Sequence, residues 1–310
     1  MSSIFSGTTY SPFLAHMVVT KNCNLSCGYC NEYDKTASPV PFVKLKQHID
    51  RLRELGTRIL ALTGGEPLLH PNVFDILSYT RGKFLTVGMI SNAYLLTEET
   101  IEKLNVAGLS CMQISIDGVL PNSVTVKALK PLRNKLDIVA RKAKFMVVVN
   151  SVVGAAPLPE LIEIFKYAKS RGFSTTAQVM HDRKGQILLS NEDRLHYYRQ
   201  LKKYLNPYWN LVFGQTRSLI KYGKDPFKCR AGSRYLYINE FGNACWCSST
   251  QNRFHKQLED YTPEDLKAQF YRRKGCEDFC TLGCVRNCSS LGRYRAYGLQ
   301  TNETVQVSLD

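Results

Sequence analysis

The chain has 310 residues, 44% of them hydrophobic, with 11 cysteines and a formal net charge of +15 at pH 7. That length suits one α/β domain of about 200 residues plus an appendage, and no apolar run approaches the roughly 18 residues that a membrane-spanning helix needs. The odd cysteine count, and a start that lacks a charged segment followed by an apolar run, exclude a secreted disulfide framework and point to metal or redox chemistry in a cytoplasmic setting.

An apolar, β-prone stretch from Phe13 to Thr20 leads directly into Lys21-Asn22-Cys23-Asn24-Leu25-Ser26-Cys27-Gly28-Tyr29-Cys30, a C-x3-C-x2-C spacing. Cubane iron–sulfur clusters normally take four thiolates. Three thiolates from one short loop therefore leave one iron open to a small molecule. A structural zinc ion needs four protein ligands, and neither His nor a fourth Cys follows within the next dozen residues.

Between Pro41 and Leu55, Phe42, Leu45, Ile49 and Leu52 recur at helical spacing. The strand-like run Arg58 to Thr63 then enters Gly64-Gly65-Glu66-Pro67. Glycines let backbone approach a ligand closely, and one carboxylate can accept hydrogen bonds from a bound ammonium. The same four residues also make a turn that merely ends a strand. Three further apolar strands follow, Leu85 to Asn92, Cys111 to Gly118 and Lys144 to Asn150, each ending in polar residues that either cap the strand or face a ligand.

Helical patterns at Thr97–Ala107, Val126–Ala143, Leu158–Ser170 and Asn191–Leu205 alternate with these strands, and a sixth strand runs from Ser174 to Met180 and ends at His181. Strand and helix in alternation predict a parallel sheet with right-handed crossovers, whose ligand site lies at the carboxyl ends of the strands. The three-cysteine loop, Gly64 to Glu66, Asp117 and Asn150 all fall there. His181 lies at the same rim, as a substrate contact or as a hydrogen-bonded structural residue. Cys111 sits at the far end of its strand, on the order of 20 Å from that rim, and reads as a buried, apolar-like cysteine.

Seven of the 11 cysteines lie in the last quarter of the chain: Cys229, Cys245, Cys247, Cys276, Cys280, Cys284 and Cys288. Tyr235 to Ile238 is strand-like, Glu240 to Asn243 supplies turn residues, and Cys245 and Cys247 follow on one face of a returning strand. One cluster would use four of these cysteines. Two would need eight and find seven. A zinc knuckle is the plainer reading, because small cysteine-rich lobes often rely on metal for stability.

The C-x3-C-x2-C loop with Tyr29 before its last cysteine, followed in order by Gly64-Gly65-Glu66-Pro67 and the polar strand ends, resembles the radical S-adenosylmethionine (SAM) enzymes. The resemblance implies a partial (β/α)6 parallel barrel over residues 1–206. It implies a 4Fe-4S cluster on Cys23, Cys27 and Cys30 whose open iron chelates SAM, and reductive cleavage of SAM to a 5′-deoxyadenosyl radical. Gly64, Gly65 and Glu66 are expected near the methionine amino group, Ser115 and Asp117 near the ribose or carboxylate, and Asn92 and Asn150 near SAM or substrate, with Tyr29 beside the cluster. Cys229-x12-Gly242-x4-Cys247 resembles the opening of the SPASM and twitch extensions, which implies one or two auxiliary 4Fe-4S clusters within residues 207–310. The later spacing of x3, x3, x3 departs from that pattern. By analogy Cys229, Cys245, Cys247 and Cys288 would hold one cluster and Cys276, Cys280 and Cys284 a second. Cys245, if free of metal, is the candidate hydrogen donor to a substrate radical.

Basic residues gather at Arg217, Lys221, Lys224, Lys228, Arg230 and Arg234, and again at Arg272, Arg273, Lys274, Arg286, Arg293 and Arg295. They suit an anionic substrate or an acidic electron donor of the flavodoxin or ferredoxin type. Aromatic residues between them (Tyr208, Trp209, Tyr222, Tyr235, Tyr237, Tyr271, Tyr294, Tyr297) leave a nucleic-acid partner as an alternative, although no nucleic-acid-binding motif is present. With 22 residues ahead of the first cysteine, the expectation is a small metabolite that is oxidised, epimerised or cross-linked. Maturation of a ribosomally made peptide is the alternative, and a zinc-stabilised nucleic-acid-binding protein the third reading.

Overall fold

The computed structural model describes residues 9–30, 32–181, 187–204, 227–277 and 280–290. The boundary expected at 206/207 lies outside these residues, as do Arg217, Lys221, Lys224, Arg293, Arg295, Tyr208, Trp209, Tyr222, Tyr294 and Tyr297.

Six strands pair in parallel and in sequence: β1 (Leu14–Thr20), β2 (Ile59–Gly64), β3 (Thr86–Ser91), β4 (Cys111–Ser115), β5 (Met146–Val153) and β6 (Ser174–Val179). Between and after them lie α1 (Phe42–Glu54), α2 (Val73–Thr80), α3 (Glu98–Ala107), α4 (Leu129–Lys142), α5 (Leu158–Ser170) and α6 (Asn191–Leu201). The ends are set locally. Thr97 Oγ1 accepts the Thr100 N–H to start α3, and Gly108, at φ 87°, closes it in the left-handed region that glycine adopts without a Cβ penalty. The helical pattern read from Val126 begins three residues late, because Asp117 N–H bonds Lys127 O at 2.9 Å and Ala128 bridges to Gly118. Those residues stay extended, which aims Lys127 at the strand ends. Asn191 to Leu201 is the helical part of the sixth pattern, and Leu205 lies outside the described residues.

Alternate strand residues divide the sheet into two faces. Ala15, Met17, Leu60, Leu62, Met89, Met112, Ile114, Val147 and Val149 pack against buried helix residues such as Leu45, Ile49, Leu104, Leu136 and Ile164 to form the main core. The residues between them face the other way, toward the site.

The sheet does not stop at β1. β7 (Tyr235–Ile238) pairs with β1 in parallel, with Leu14 opposite Tyr235 and Met17 opposite Ile238, and antiparallel β8 (Asn243–Cys245) and β9 (His255–Gln257) extend it. The result is one nine-stranded sheet in the order β6-β5-β4-β3-β2-β1-β7-β8-β9. The turn and strand expected around Gly242 are the β7–β8 hairpin, and Cys247 lies just beyond β8. Two helices follow, α7 (Pro263–Tyr271), opened by a capping box between Thr262 and Asp265, and α8 (Gly283–Ser290). Among the described residues no helix is long and apolar enough to cross a membrane.

Candidate active site

Backbone hydrogen bonds fasten the stem of the cysteine loop to the rim of the sheet. Gly65 N–H donates to Thr20 O and Glu66 N–H to Asn22 O, both at 2.8 Å. A Cβ on Gly64, whose φ is +129°, would lie 2.0 Å from Thr20 O, and one on Gly65 would lie 2.2 Å from Asn22 O. Only glycine admits that approach. The pair therefore serves the loop as well as any ligand.

Within the loop, sulfur atoms already receive donors. Leu25 N–H points at Cys23 Sγ at 3.4 Å and Glu32 N–H at Cys30 Sγ at 3.5 Å. Burial raises the Cys23 and Cys30 thiol pKa values, and these N–H groups oppose the rise by favouring thiolate. Cys27 is buried, with its sulfur 3.7 Å from Thr125 Oγ1.

Tyr29 anchors the loop to β4. Its hydroxyl donates to Asp117 Oδ2 at 2.6 Å and accepts from Lys127 Nζ at 3.0 Å, while Val152 N–H donates to Asp117 Oδ1 at 2.9 Å. Burial, then the Asp117 carboxylate, holds the Tyr29 hydroxyl protonated far above the ordinary tyrosine range, against the pull of Lys127. For Lys127 burial works against the charge, yet Tyr29 and Asp117 outweigh it and raise its pKa.

Two residues expected at SAM are occupied within the chain. Glu66 is fully buried: Oε1 accepts from Leu68 N–H at 3.1 Å and Ser91 Oγ at 2.9 Å, and Oε2 accepts from Asn92 N–H at 2.7 Å. It ties β2 to β3. Asn92 Nδ2 donates to Asn24 Oδ1 at 2.8 Å and its Oδ1 accepts Tyr94 N–H at 3.0 Å. Both side chains brace the rim, as a buried polar group takes the nearest partner.

A cavity of about 440 Å³ opens beside the three thiols. Cys23, Cys27, Cys30, Tyr29, Gly64, Gly65, Asn92, Ser115, Asp117 and Asn150 all line it, and Glu66 does not. Sequence reading had missed Gln113, Gln178, Lys127 and Glu32 in its wall. Gln113 shares its strand face with Ser115 by alternation, so period two was the signal for it. No local signal marked Lys127. Glu32 Oε2 accepts from Tyr237 Oη at 2.5 Å and Lys21 Nζ at 3.4 Å, whereas Oε1 is buried and has no hydrogen-bond partner among the described residues. His181 lines the cavity and its Nδ1 lies 2.7 Å from Thr281 Oγ1, so the cysteine-rich segment closes over the rim together with Ser248, Ser249 and Leu282.

The late cysteines surround the foot of that closure. Charge on Cys247 and Cys276 acts on Cys229, charge on Cys276 acts on Cys247, and Cys280 feels both Cys229 and Cys247. Burial is the larger cause throughout, pushing Cys229 up to about 12. Cys229, Cys245, Cys247 and Cys288 pack in one buried cluster, with Cys280 and Cys284 against it. Cys245 and Cys284 each feel Cys247 as well, so these interactions do not divide the late cysteines into two ligand sets. Cys284 and Cys288 stand four residues apart on α8, with Cys284 acting on Cys288. Cys245 is fully buried in β8 and is not among the residues that line the cavity. Cys111 is half-buried at the far end of β4, its thiol raised by burial to about 11.

Among the described members of the basic clusters, Lys228, Arg272 and Arg273 are exposed and the others are at least partly internal. Lys274 and Arg286 are buried, Arg230 stacks on Phe270 at 3.4 Å, and Arg234 Nη1 donates to Ser11 O at 2.8 Å. Tyr235 and Tyr237 are fully buried, so neither offers a face for stacking bases.

Three thiols on one cavity wall, two of them receiving backbone N–H groups, are a donor set that fits an iron–sulfur cluster with fewer protein ligands than irons. A parallel α/β barrel that carries this loop after β1 and a glycine pair after β2 defines an enzyme of SAM-dependent radical chemistry. Residues 17–183 match the Radical SAM superfamily, and the chain belongs to that family. It is similar to the AdoMet-dependent heme synthase of Methanosarcina barkeri, 35% identical over 175 residues that make up 53% of this chain and 49% of that relative. The chain thus spans about half that protein's length.

Its fold is similar to that of Streptococcus suis SuiB bound to precursor peptide SuiA, at a TM-score of 0.66 and 15% identity, covering 91% of this chain and 72% of that one. It is similar as well to anSMEcpe with bound AdoMet and Cp18Cys peptide, at a TM-score of 0.60 and 17% identity, covering 90% and 89%.

Proposed function

We propose that this enzyme abstracts a hydrogen atom from a residue of a peptide substrate. Cys23, Cys27 and Cys30 hold the SAM-binding 4Fe-4S cluster, and four of the seven late cysteines hold a single auxiliary one. When bound, the reduced cluster and SAM supply a primary carbon radical able to break an unactivated C–H bond. The protein's own share is positioning. Tyr29, Asp117 and Lys127 fix the cysteine loop, Gly64 and Gly65 let it seat, and Ser115 and Asn150 meet SAM.

The observation that carries the peptide reading is the cavity floor. Gln113 and Gln178 offer neutral amide groups from β4 and β6, beside the apolar Val152, Met180, Leu188 and Leu282. Neutral donors and acceptors next to apolar surface match backbone amides and an uncharged side chain. The likeness to SuiB and anSMEcpe supports the same reading over the small metabolite expected from sequence. A reduced flavodoxin or ferredoxin supplies the electron, and the auxiliary cluster accepts one for net oxidation.

The test is anaerobic incubation of the reconstituted enzyme with SAM, dithionite and a peptide pool deuterated at carbon. Deuterium should pass into 5′-deoxyadenosine. Transfer from a deuterated metabolite extract and none from the peptides would refute the peptide reading. The Cys23/Cys27/Cys30→Ala variant should lose the product and retain about four irons per chain, those of one cluster.

A further inference from the structure

We infer that Gln113 is the specificity-determining residue for the side chain under attack, and that this side chain is a carboxamide, asparagine or glutamine. The inference rests on the peptide reading and narrows it.

Gln113 is the middle residue of β4. Met112 and Ile114, on either side of it, are fully buried in the main core, so alternation turns Gln113 the other way, into the cavity that it lines. Its neighbours in register are Ile90 on β3 and Val148 on β5. Ser115 and Asn150 face each other two residues nearer the rim, on the order of 7 Å above it. Gln178 stands higher still. Val148 is opposite Ser174 on β6, which puts Gln178 four residues, roughly 13 Å, nearer the rim than Gln113. Gln113 therefore carries an amide at the floor, set between two aliphatic side chains.

That amide is open. The Gln113 side chain makes no hydrogen bond to another described residue, and its polar atoms are not among those closed off from the cavity. The charged groups that line the cavity lie nearer the rim or in the cysteine loop, and each is engaged. Tyr29 and Val152 N–H hold Asp117, Lys127 Nζ donates to Tyr29, Lys21 stands 3.4 Å from the Glu32 carboxylate, and His181 Nδ1 is 2.7 Å from Thr281 Oγ1.

The chemistry of the tip that reaches this floor follows. A charged tip would lose its water beside Ile90 and Val148 and gain no counter-ion. An aliphatic tip would leave the donor and the acceptor of Gln113 both without a partner. A hydroxyl has one oxygen and meets one of the two at a time. A carboxamide satisfies both, because its carbonyl accepts from Gln113 Nε2 while its amino group donates to Oε1. Gln178, far above, is left to meet the peptide backbone at the entrance.

The experiment uses the full chain, reconstituted anaerobically with SAM and dithionite. The probes are short Ala/Gly host peptides with one guest residue, Asn, Gln, Leu, Asp or Thr, deuterated at its carbons. Asn, Leu and Asp share nearly the same skeleton, so the series varies chemistry at constant shape. Deuterium in 5′-deoxyadenosine is read by mass spectrometry, and SAM affinity by equilibrium dialysis. The better of the two carboxamide guests should exceed each of Leu, Asp and Thr at least about five-fold. Gln113→Met and Gln113→Leu, which nearly conserve volume, should erase that margin and shift transfer toward the Leu guest.

Leu, Asp or Thr equal to or above the carboxamides in the parent overturns the inference and leaves the peptide reading standing. A carboxamide margin that survives in both variants, whether or not SAM affinity falls, assigns the recognition to another group and overturns the role of Gln113. If circular dichroism shows that neither variant folds, the guest series of the parent decides. No transfer from any guest overturns the peptide reading and this inference together.

Discussion

Replacing Gly65 with Ala tests what the glycine pair does. The new Cβ would stand 2.2 Å from Asn22 O and 2.4 Å from Lys21 O, so β2 and the cysteine-loop stem must part by roughly 0.8 Å to restore even 3.0 Å. Both contacts are backbone, which has no rotamer to yield. The Gly65-to-Thr20 and Glu66-to-Asn22 hydrogen bonds, now 2.8 Å, would stretch past the range in which such bonds hold. Two lost bonds at about 1 kcal/mol each and about 1–3 kcal/mol of overpacking put the cost at roughly 3–5 kcal/mol, concentrated on the loop that carries Cys23, Cys27 and Cys30. Anaerobic reconstitution without SAM, followed by iron counting, should show the loss of one cluster, about four irons, while the auxiliary centre is retained. A Gly65→Ala protein that holds all its iron and merely binds SAM less tightly would refute this reasoning, because the glycine would then serve the ligand and not the loop.

Tyr29→Phe removes the hydroxyl between Asp117 and Lys127 and should cost about 2–3 kcal/mol in urea unfolding of the metal-free protein; a loss below half of that would show that the two charges re-pair without it. His16 makes a pH prediction. Burial lowers its pKa to about 4 from 6.5, so as pH falls below 6.5 the unfolded chain takes the proton first. His16 therefore leaves stability flat above pH 6.5 and withdraws up to about 3 kcal/mol by pH 4. A His16→Gln protein lacks this slope, so its urea midpoint should fall less than the parent's between pH 7 and pH 5, and parallel curves would contradict the assignment. Thr281→Val, which removes the contact to His181, should speed amide hydrogen exchange around residues 281–290 about five-fold, the equivalent of ~1 kcal/mol; unchanged exchange would show that the closure is held elsewhere.

The six parallel strands could be read from the sequence because each is a short apolar run whose polar end reports the rim. The cysteine loop could be read because its spacing is chemical and local. The eight-residue α2 escaped, since Val73, Ile76, Leu77 and Thr80 make only two turns of periodicity right after a proline-rich corner. The pairing of β1 with β7 escaped for another reason: it joins Leu14 to Tyr235 across most of the chain, and nothing in a four-residue strand announces its partner. Lys127 was hidden in a segment that looked helical. That Cys276 and Cys280 come near enough to Cys229 to interact with it depends on where α7 returns the chain, which spacing alone does not fix. The regular steps to Cys284 and Cys288 did carry a readable signal, since four-residue steps place side chains along one face of a helix.

The parallel join between β1 and β7 has a mechanical consequence. The strand that delivers Cys23 and the hairpin that precedes Cys247 are neighbours in one hydrogen-bonded ladder, with strands about 4.8 Å apart. Bending between the two sulfur-bearing regions would require tearing that ladder. The two regions are therefore held apart at a separation set by strand spacing, like fixed stations on a rigid beam.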